Sequence, residues 1–431
     1  MGWFILSYLF STLISLVSIG RLSEQEKDLE ILLLRHQLSI LEFTTGHFFR
    51  KLIHGMLQFS SQNKEHPMSD NRRRYRTIKS AIKELYPAEP TGNEARHLHT
   101  LAAMISGIVG SKSVNLPHIA GKIPDGTKAE SRVKKYYRWL TNERIGAELY
   151  FLPFAAALLM SLAHSPLVLA MDGSEVGRGC LMLMVSVIYH GRSLPLAWIV
   201  VKGSKGHFPE EAHVELLKHV YTIVPEHASV FFLGDGEFDG TQLQATLNDF
   251  GWRYVCRTAK NIQLYADGEW FTFEDLGVER GERIGVPDVL FTLQAYGPVL
   301  AIAAWDKKYK EPIYLVTNME LVDEACYWYR KRYRIETFFS DEKGRGFHLD
   351  KSHIDNPARL SRLMIAACLA YIWIVFLGAL AILEDWVSVI HRTDRCDLSL
   401  FQLGLRLLGH FLDEDIPIPV AFQMLELGAF V

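Results

Sequence analysis

Two long apolar runs without a charged side chain set the strongest limit on how this chain can fold. They extend from Met1 to Gly20 and from Leu363 to Leu383, and each is long enough to cross a bilayer as a helix. A helix that is apolar on every side must be buried, either in lipid or in a large core. The second run follows a polar, motif-bearing segment, so we predict that it is a core helix. For the first run a membrane anchor stays open, although no basic n-region or small-residue cleavage site suggests a secretory signal.

Composition and charge exclude several classes of protein. The chain has 431 residues, 49% of them hydrophobic and 22% charged, which is enough for a sizeable core and two or three domains. The 46 Lys and Arg residues nearly balance the 49 Asp and Glu residues, so any surface that binds nucleic acid must be local. The five cysteines have no CxxC spacing, which argues against a zinc module or a disulfide framework. A reducing cytoplasm fits this pattern best.

The first part of the chain is predicted to be helical and contains local basic clusters. Leu22 to Leu41 has the pattern of an amphipathic helix, and a linker-like stretch from Ser60 to Asn71 contains Met68, a plausible start for everything downstream. Four cations lie close to aromatic residues in ESRVKKYYRWLTNE: Arg132, Lys134, Lys135 and Arg138. Such a segment can neutralise phosphates while its rings stack. The alternative is a solvated helix face with an aromatic core side.

After Pro166 the pattern changes to short runs that are rich in β-forming residues. The predicted strands are Leu167 to Met171, Leu181 to Tyr189, Leu194 to Val201, Val230 to Leu233 and Trp252 to Cys256. Helical stretches separate the later strands, which predicts a mixed sheet in an α/β domain. Asn261 to Met319 contains Gly and Pro turns between further short strands and is predicted to be a β-rich insertion, with helices dominating after Val322.

Two carboxylates close predicted buried strands. Asp172 follows LVLAM and Asp235 follows VFFLG, and each is followed by Gly. A side chain at the carboxyl end of such a strand faces the crevice where ligands bind in open α/β sheets. Each Asp taken alone is equally explained as a turn-capping residue.

A third element has a fixed spacing. Four residues lie at offsets 0, 3, 7 and 14: Tyr329, Arg332, Glu336 and Lys343. At 100° per residue these offsets fall within an arc of about 60°, so an uninterrupted helix would place them on one stripe. Trp328, Ile335 and Phe338 would then face the core. The alternative is an ordinary salt-bridged surface helix.

Tyr-x2-Arg-x3-Glu-x6-Lys is the signature of a class of bacterial insertion-sequence DDE transposases, and this sequence resembles that class. The resemblance extends to VLAMDGSEV, FFLGDGEFDG, ESRVKKYYRWLTN and GFHLDKSHIDNPARLSRLMIAACLAYIW. It covers the chain from about Met68 to about Leu383.

The resemblance implies an α/β fold with an RNase H-like catalytic core, a mixed sheet flanked by helices. A β-rich insertion would interrupt the core, and a helical DNA-binding region would precede it. Asp172, Asp235 and Glu336 would be the catalytic residues and would hold two metal ions. Carboxylates without His or Cys suit Mg²⁺ or Mn²⁺ rather than zinc. Flanking carboxylates could support this site without binding metal: Glu175, Glu237 and Asp239.

The class also implies contacts with DNA. Tyr329, Arg332 and Lys343 would grip phosphates near the transposon end, and a tryptophan of the insertion would stack on a flipped base. Trp270 and Trp305 are the candidates, and each is also explained as a core or surface aromatic. The implied activity is cut-and-paste transposition, with metal-dependent cleavage at terminal inverted repeats and transfer of the 3′-OH into target DNA. The enzyme would work as a homodimer on double-stranded DNA in the cytoplasm, associated with the nucleoid.

We predict six regions along the chain. They are a leader with linker (1–67), a helical DNA-binding region (68–150), the first part of the core (151–260), the β-rich insertion (261–320), the second part of the core (321–385) and a helical tail (386–431). Within the leader, EKDLEILLLRHQLSIL resembles the start of integrase-core transposases from another insertion-sequence group. We therefore hypothesise a chimeric reading frame in which the leader is a passenger.

Two other functions compete with an active transposase. A catalytically silent relative could bind transposon ends, or inhibit transposition, without cutting; the complete triad and signature disfavour this alternative. A membrane-anchored protein would use both apolar runs as spans, and would require the acidic and basic motifs to be coincidental. We therefore expect no membrane partner.

Overall fold

The computed structural model describes residues 69–87, 89–203, 208–392 and 396–427. The chain divides into two units, Met1–Pro67 and Met68–Val431, and all elements given below belong to the second. The first apolar run and the predicted amphipathic helix of the leader lie outside the described residues. Their assignment stays a prediction.

Helices precede the first strand, as the sequence predicts. They are α1 Asp70–Leu85, α2 Gly92–Ser111, α3 Leu116–Gly121, α4 Ala129–Thr141, α5 Ala147–Tyr150 and α6 Leu152–Leu162. The basic helix α1 is partly structural, because two of its arginines turn inward. Arg74 is buried and donates from Nε to the carbonyl of Ser106, 3.0 Å away, and Arg73 donates from Nη1 to the carbonyl of Leu412 at 2.8 Å.

The described strands form one ten-stranded mixed sheet in the order β3-β2-β1-β4-β5-β10-β9-β8-β6-β7. Its first five strands are β1 Leu167–Val176, β2 Cys180–Tyr189, β3 Arg192–Lys202, β4 Val230–Gly234 and β5 Arg253–Thr258. The first three strands are antiparallel neighbours, whereas β1, β4 and β5 run parallel. Helix α7 (Glu210–Tyr221) connects β3 to β4, and helix α8 (Thr241–Asp249) connects β4 to β5. This mixed sheet with flanking helices is consistent with the expected RNase H-like core.

The β-rich segment that follows extends the same sheet. Its strands are β6 Gln263–Ala266, β7 Glu269–Thr272, β8 Arg283–Phe291, β9 Tyr296–Ala304 and β10 Ile313–Thr317. Strand β10 pairs antiparallel with β5 on one side and with β9 on the other. The predicted insertion is therefore continuous with the core sheet, because β10 closes its backbone hydrogen bonds against a core strand.

Helices dominate the remainder, as predicted. They are α9 Val322–Tyr329, α10 Ile335–Ser340, α11 Pro357–Leu383, α12 Val387–Ile390 and α13 Leu400–Asp413. Among the described residues, only α11 is long and apolar enough to cross a membrane, and 94% of its most apolar window is buried inside the protein. The prediction that the second apolar run is a core helix is confirmed.

Helix α11 is covered closely by α13. A Cβ atom at Gly378 would overlap the backbone of Leu400, and a Cβ atom at Gly404 would overlap the carbonyl of Ile374. Only glycine lets the two backbones approach this far. The centre of the most apolar helix is thus shielded by protein rather than by lipid.

Candidate active site

Two parallel strands bring Asp172 and Asp235 together. The last paired positions of β1 and β4 are Ala170 and Leu233, and each aspartate lies two residues further along its strand direction. The two carboxylates therefore occupy equivalent positions at the same edge of the sheet, where open α/β sheets bind ligands. Backbone N–H groups orient both carboxylates: Gly173 donates to Asp172 Oδ1 at 2.8 Å, and Glu237 donates to Asp235 Oδ1 at 3.1 Å.

Glu336 reaches this edge from the short helix α10, and the uninterrupted helix that would place the four signature residues on one stripe does not form. After α9 ends at Tyr329, the chain forms a 3₁₀ turn (Arg332–Arg334), then α10, then a π-helical turn (Asp341–Arg345). A 3₁₀ turn is wound more tightly than an α-helix and a π turn more loosely, so a stripe calculated at 100° per residue does not persist. Within α10, Ile335 and Phe338 are buried, as predicted, which leaves Glu336 facing outward.

One guanidinium connects the three carboxylates, which we call the acidic triad (Asp172, Asp235 and Glu336). Arg332 Nη1 lies 3.6 Å from Asp235 Oδ2 and 4.0 Å from Asp172 Oδ2. Its Nη2 lies 3.4 Å from Glu336 Oε1. The predicted residues are thus brought to one place, and Arg332 lies among them.

The triad lies at the boundary between protein and water. The exposed fraction of the side chain is 21% for Asp172, 33% for Asp235 and 63% for Glu336. Burial, reinforced by the charge of Asp235 and opposed by Arg332, raises the pKa of Asp172 to about 6. Negative charge is therefore concentrated where a cation can approach from solvent.

The other two signature residues flank the triad. Tyr329 is partly buried, and this burial raises the pKa of its hydroxyl to about 12, against the nearby charges of Arg332 and Arg257. Lys343 donates from Nζ to Ser174 Oγ at 2.7 Å. Burial lowers the pKa of Lys343, although carboxylates led by Glu175 oppose this.

Sequence reasoning missed Ser174 and Arg257. Ser174 follows Asp172 by two positions on β1, so both side chains lie on the same face of the strand; this periodicity could have identified it. Arg257 lies on β5, and only the sheet order brings it near Tyr329. No spacing in the sequence indicates that proximity.

The basic cluster on α4 is split between the interior and solvent. Arg132 was expected to contact phosphate, but its guanidinium donates to the carbonyl of Ala120 at 2.8 Å and to Asp125 Oδ1 at 2.8 Å. Lys135 is partly buried, and burial lowers its pKa. Lys134 and Arg138 are exposed. The cations available to a ligand are therefore fewer than the sequence indicates.

The two candidate tryptophans differ in accessibility. Trp270 on β7 is 47% exposed, and its ring centroid lies 5.1 Å from that of Tyr265. Trp305 is partly buried, and its indole N–H donates to the carbonyl of Tyr309 at 3.1 Å. Trp270 is thus the better presented ring, and its role stays a prediction.

The donor chemistry of the triad suits a hard divalent cation, because all of its ligand atoms are carboxylate oxygens. Within the described ranges, no three His, Cys, Asp or Glu side chains are gathered closely enough to form a ready-made metal site. In the triad, the guanidinium of Arg332 lies among the three carboxylates. The donor atoms are of the type that Mg²⁺ and Mn²⁺ prefer. The three carboxylates would have to move closer together to hold such an ion.

A second acidic cluster, which we did not predict from the sequence, follows Glu336 closely along the chain. We call Asp341 and Glu342 of the π-helical turn the acidic pair; both are buried. Asp341 Oδ2 accepts from Arg192 Nη1 at 2.9 Å and from the hydroxyl of Tyr371 at 3.3 Å. Neither carboxylate oxygen of Glu342 has a hydrogen-bond partner among the described residues. Burial, together with the charge of Asp341, raises the pKa of Glu342 well above its usual range.

Comparison with known proteins gives one family. Residues 165–373, which contain the whole triad, match the transposase DDE domain. No curated protein sequence matches the chain. Among solved structures, the chain is similar to a piggyBac transposase synaptic complex with hairpin DNA, solved by cryo-EM. The identity is 10%, the TM-score is 0.40, and 84% of each chain is covered. A crystal structure of human ENDOV matches with 14% identity and a TM-score of 0.22, over 48% of this chain and 86% of that one.

Proposed function

We propose that this chain, whose residues 165–373 match the transposase DDE domain, is a DDE-type DNA transposase that performs metal-dependent cut-and-paste transposition. It would cleave DNA at its own terminal inverted repeats and transfer the exposed 3′-OH into target DNA. The observation that carries this proposal is the convergence of Asp172, Asp235 and Glu336 around one cation at the open edge of the sheet.

The acidic triad would hold two Mg²⁺ or Mn²⁺ ions. When bound, such ions activate the attacking water or hydroxyl and stabilise the leaving 3′ oxygen of an in-line displacement. The chain itself supplies three carboxylates: one from within β1, one from the residue that follows β4, and one from a helix. Because the backbone fixes Asp172 and Asp235 through hydrogen bonds, Glu336 on its short helix is the ligand that can adjust most.

Cations beside the triad would position the DNA backbone. Lys343 is fixed by Ser174, and Arg332 presents a planar fork that matches phosphate oxygens. Exposed Lys134 and Arg138 on α4 would add contacts further along the duplex, and Trp270 would stack on an unpaired base. Arg132 is not part of this proposed surface, since its donors are engaged within the protein.

Double-stranded DNA would be the main partner, as terminal repeats and as target. We propose that two copies of the chain assemble on paired ends, since both ends must be cut and joined together. This activity would place the protein in the cytoplasm, at the nucleoid. The burial of α11 supports the absence of a membrane partner for this region.

The test is nicking of a labelled duplex that carries the element's own terminal repeats, in Mg²⁺ or Mn²⁺. We expect cleavage at the repeat boundary, and a loss on the order of 10³-fold in Glu336→Gln, because a metal ligand contributes several kcal/mol to transition-state stabilisation. Glu226→Gln, the same change at an exposed residue outside the site, is the matched control.

The alternatives give different outcomes. Binding of the ends without cleavage by the wild type would indicate a silent or inhibitory relative. Full activity of Glu336→Gln would show that the triad is not the catalytic centre.

A further inference from the structure

Arg332 occupies the place in the triad where a metal ion would be expected. Its two terminal nitrogens lie 3.4 Å, 3.6 Å and 4.0 Å from one oxygen of Glu336, Asp235 and Asp172 respectively. We propose that Arg332 is a resident cation that holds the acidic triad before DNA arrives, and that divalent metal must displace it. This inference rests on the proposed function, in which the same carboxylates bind the metal.

Charge explains why the site needs such a cation. Three carboxylates at one sheet edge repel one another, and Asp172 and Asp235 are partly withdrawn from water. Among the ion pairs of the described residues, those to the triad all come from Arg332; Lys343 adds only a longer-range attraction to Asp172. Removing the guanidinium would therefore leave the triad without its closest compensating charge.

The distances show that Arg332 can be exchanged. Tight charge-assisted hydrogen bonds between N–H and carboxylate are about 2.7–2.9 Å long, whereas the N···O distances from Arg332 to its three partners are 3.4 Å, 3.6 Å and 4.0 Å. Mg²⁺ requires carboxylate oxygens at about 2.0–2.1 Å. A guanidinium and a divalent ion cannot both take the central position, so metal binding must move Arg332 outward.

DNA provides the alternative partner for the displaced side chain. Arg332 lies on a 3₁₀ turn between two helices, a kind of segment that often serves as a hinge, and its fork suits phosphate. An incoming phosphate would draw the guanidinium away from the carboxylates and leave their oxygens to the metal. Metal loading would thus be weak in the free protein and coupled to the arrival of DNA.

The test is a Mn²⁺ titration of the full chain without DNA, followed by electron paramagnetic resonance of free Mn²⁺. We expect Arg332→Gln to bind Mn²⁺ at least about tenfold more tightly than the wild type, because the competing charge is gone. Arg334→Gln makes the same change on the same turn, where the guanidinium stacks on Tyr333, and should bind Mn²⁺ as the wild type does. Arg332→Lys keeps the charge but loses the planar fork. Its Mn²⁺ affinity should therefore lie between that of the wild type and that of Arg332→Gln.

The opposite result would be unchanged or weaker Mn²⁺ binding by folded Arg332→Gln. If Arg332→Gln fails to fold, Arg332→Lys decides the question, since affinity no higher than that of the wild type would overturn the inference. Titrating Asp235→Asn alongside the Arg332 variants separates the proposed metal site from the resident-cation role of Arg332. Mn²⁺ binding that depends on Asp235 but not on Arg332 would leave the metal site standing and remove only the resident-cation role. Mn²⁺ binding that is independent of Asp235 in every variant would overturn both.

Discussion

The acidic triad and the acidic pair lie within one stretch of chain but in opposite surroundings. Glu336 and its two partners face solvent around Arg332, whose contacts are long and shared. Asp341 and Glu342 lie in the core, where Arg192 and Tyr371 contact Asp341 directly. A few residues of helix therefore separate carboxylates that can exchange cations from carboxylates that cannot.

The difference shows that access to water, rather than acidity, decides what a group of carboxylates can do. A charge in the interior must be neutralised permanently, by protonation or by a fixed partner, because its desolvation is costly. A partly hydrated carboxylate keeps its charge at moderate cost and can change partners. Of these two clusters, the triad is the one that fits the proposed role of a site that loads and releases metal.

The largest expected effect comes from removing the buried cation. We expect Arg192→Met to lower the free energy of unfolding by about 3–5 kcal/mol, because it removes the ion pair between Arg192 and Asp341 from the core. The equivalent change in the triad, Arg332→Met, should cost no more than about 1 kcal/mol, since those carboxylates are partly hydrated and lie 3.4–4.0 Å from the guanidinium. Urea unfolding without metal measures both.

The double variant Arg192→Met/Asp341→Leu is the control for this comparison. It removes the Asp341 carboxylate together with the Arg192 guanidinium and should recover much of the loss. Equal costs for Arg192→Met and Arg332→Met would contradict the distinction between the two clusters.

A smaller effect is expected from the second member of the pair. The pKa of Glu342 is raised in the folded protein, so between the unfolded and folded pKa values the folded state binds more protons than the unfolded state. The free energy of unfolding should therefore fall as pH rises above about 4.3, by at most about 1.4 kcal/mol per pH unit. Glu342→Gln should lack this fall and be the more stable protein at neutral pH.

Urea unfolding of both proteins from pH 5 to pH 8 checks this prediction. Asp172 also has a raised pKa and contributes equally to both curves, so only their difference reports on Glu342. Parallel curves would mean that Glu342 is not held in its protonated form.

The smallest effect concerns the π-helical turn, which carries both Glu342 and Lys343. Ser174→Ala removes the acceptor of Lys343 and should weaken binding of terminal-repeat DNA about two- to fivefold, the value of roughly one hydrogen bond. Ser186→Ala makes the same change at a buried hydroxyl of β2 that has no hydrogen-bond partner among the described residues. Equal DNA affinities of the two variants would show that Ser174 does not position Lys343.

Much of the fold followed from local patterns. Strands β1 to β5 were recognised because buried runs of β-branched and aromatic residues end at polar turns, and α11 because no charge interrupts it. Asp172 and Asp235 were identified because each follows a buried apolar run. Asp235 directly follows β4, whereas β1 continues past Asp172 to Val176. Glu336 was identified only from the signature spacing, because one glutamate on a predicted helix has no distinguishing pattern.

The remaining features depend on contacts that spacing does not encode. The spacing of the signature residues does not indicate that the predicted helix breaks into 3₁₀, α and π turns. The sequence SDEKGRG reads as an exposed polar run, yet tertiary contacts bury Asp341 and Glu342. Arg132 lies in a basic, aromatic segment that predicts DNA contacts. Its guanidinium instead donates to the carbonyl of Ala120 and to Asp125 Oδ1.

The most direct test of the central claim is to locate the metal in the DNA-bound protein by Fe²⁺-mediated cleavage of the polypeptide. Fe²⁺ takes the place of Mg²⁺, and hydroxyl radicals formed at the ion cut the nearby backbone. We predict cuts close to Asp172, Asp235 and Glu336 that excess Mg²⁺ suppresses and that Asp235→Asn removes. Cuts near Arg192 and Asp341 in place of those at Asp172 and Asp235 would contradict the assignment of the triad as the metal site.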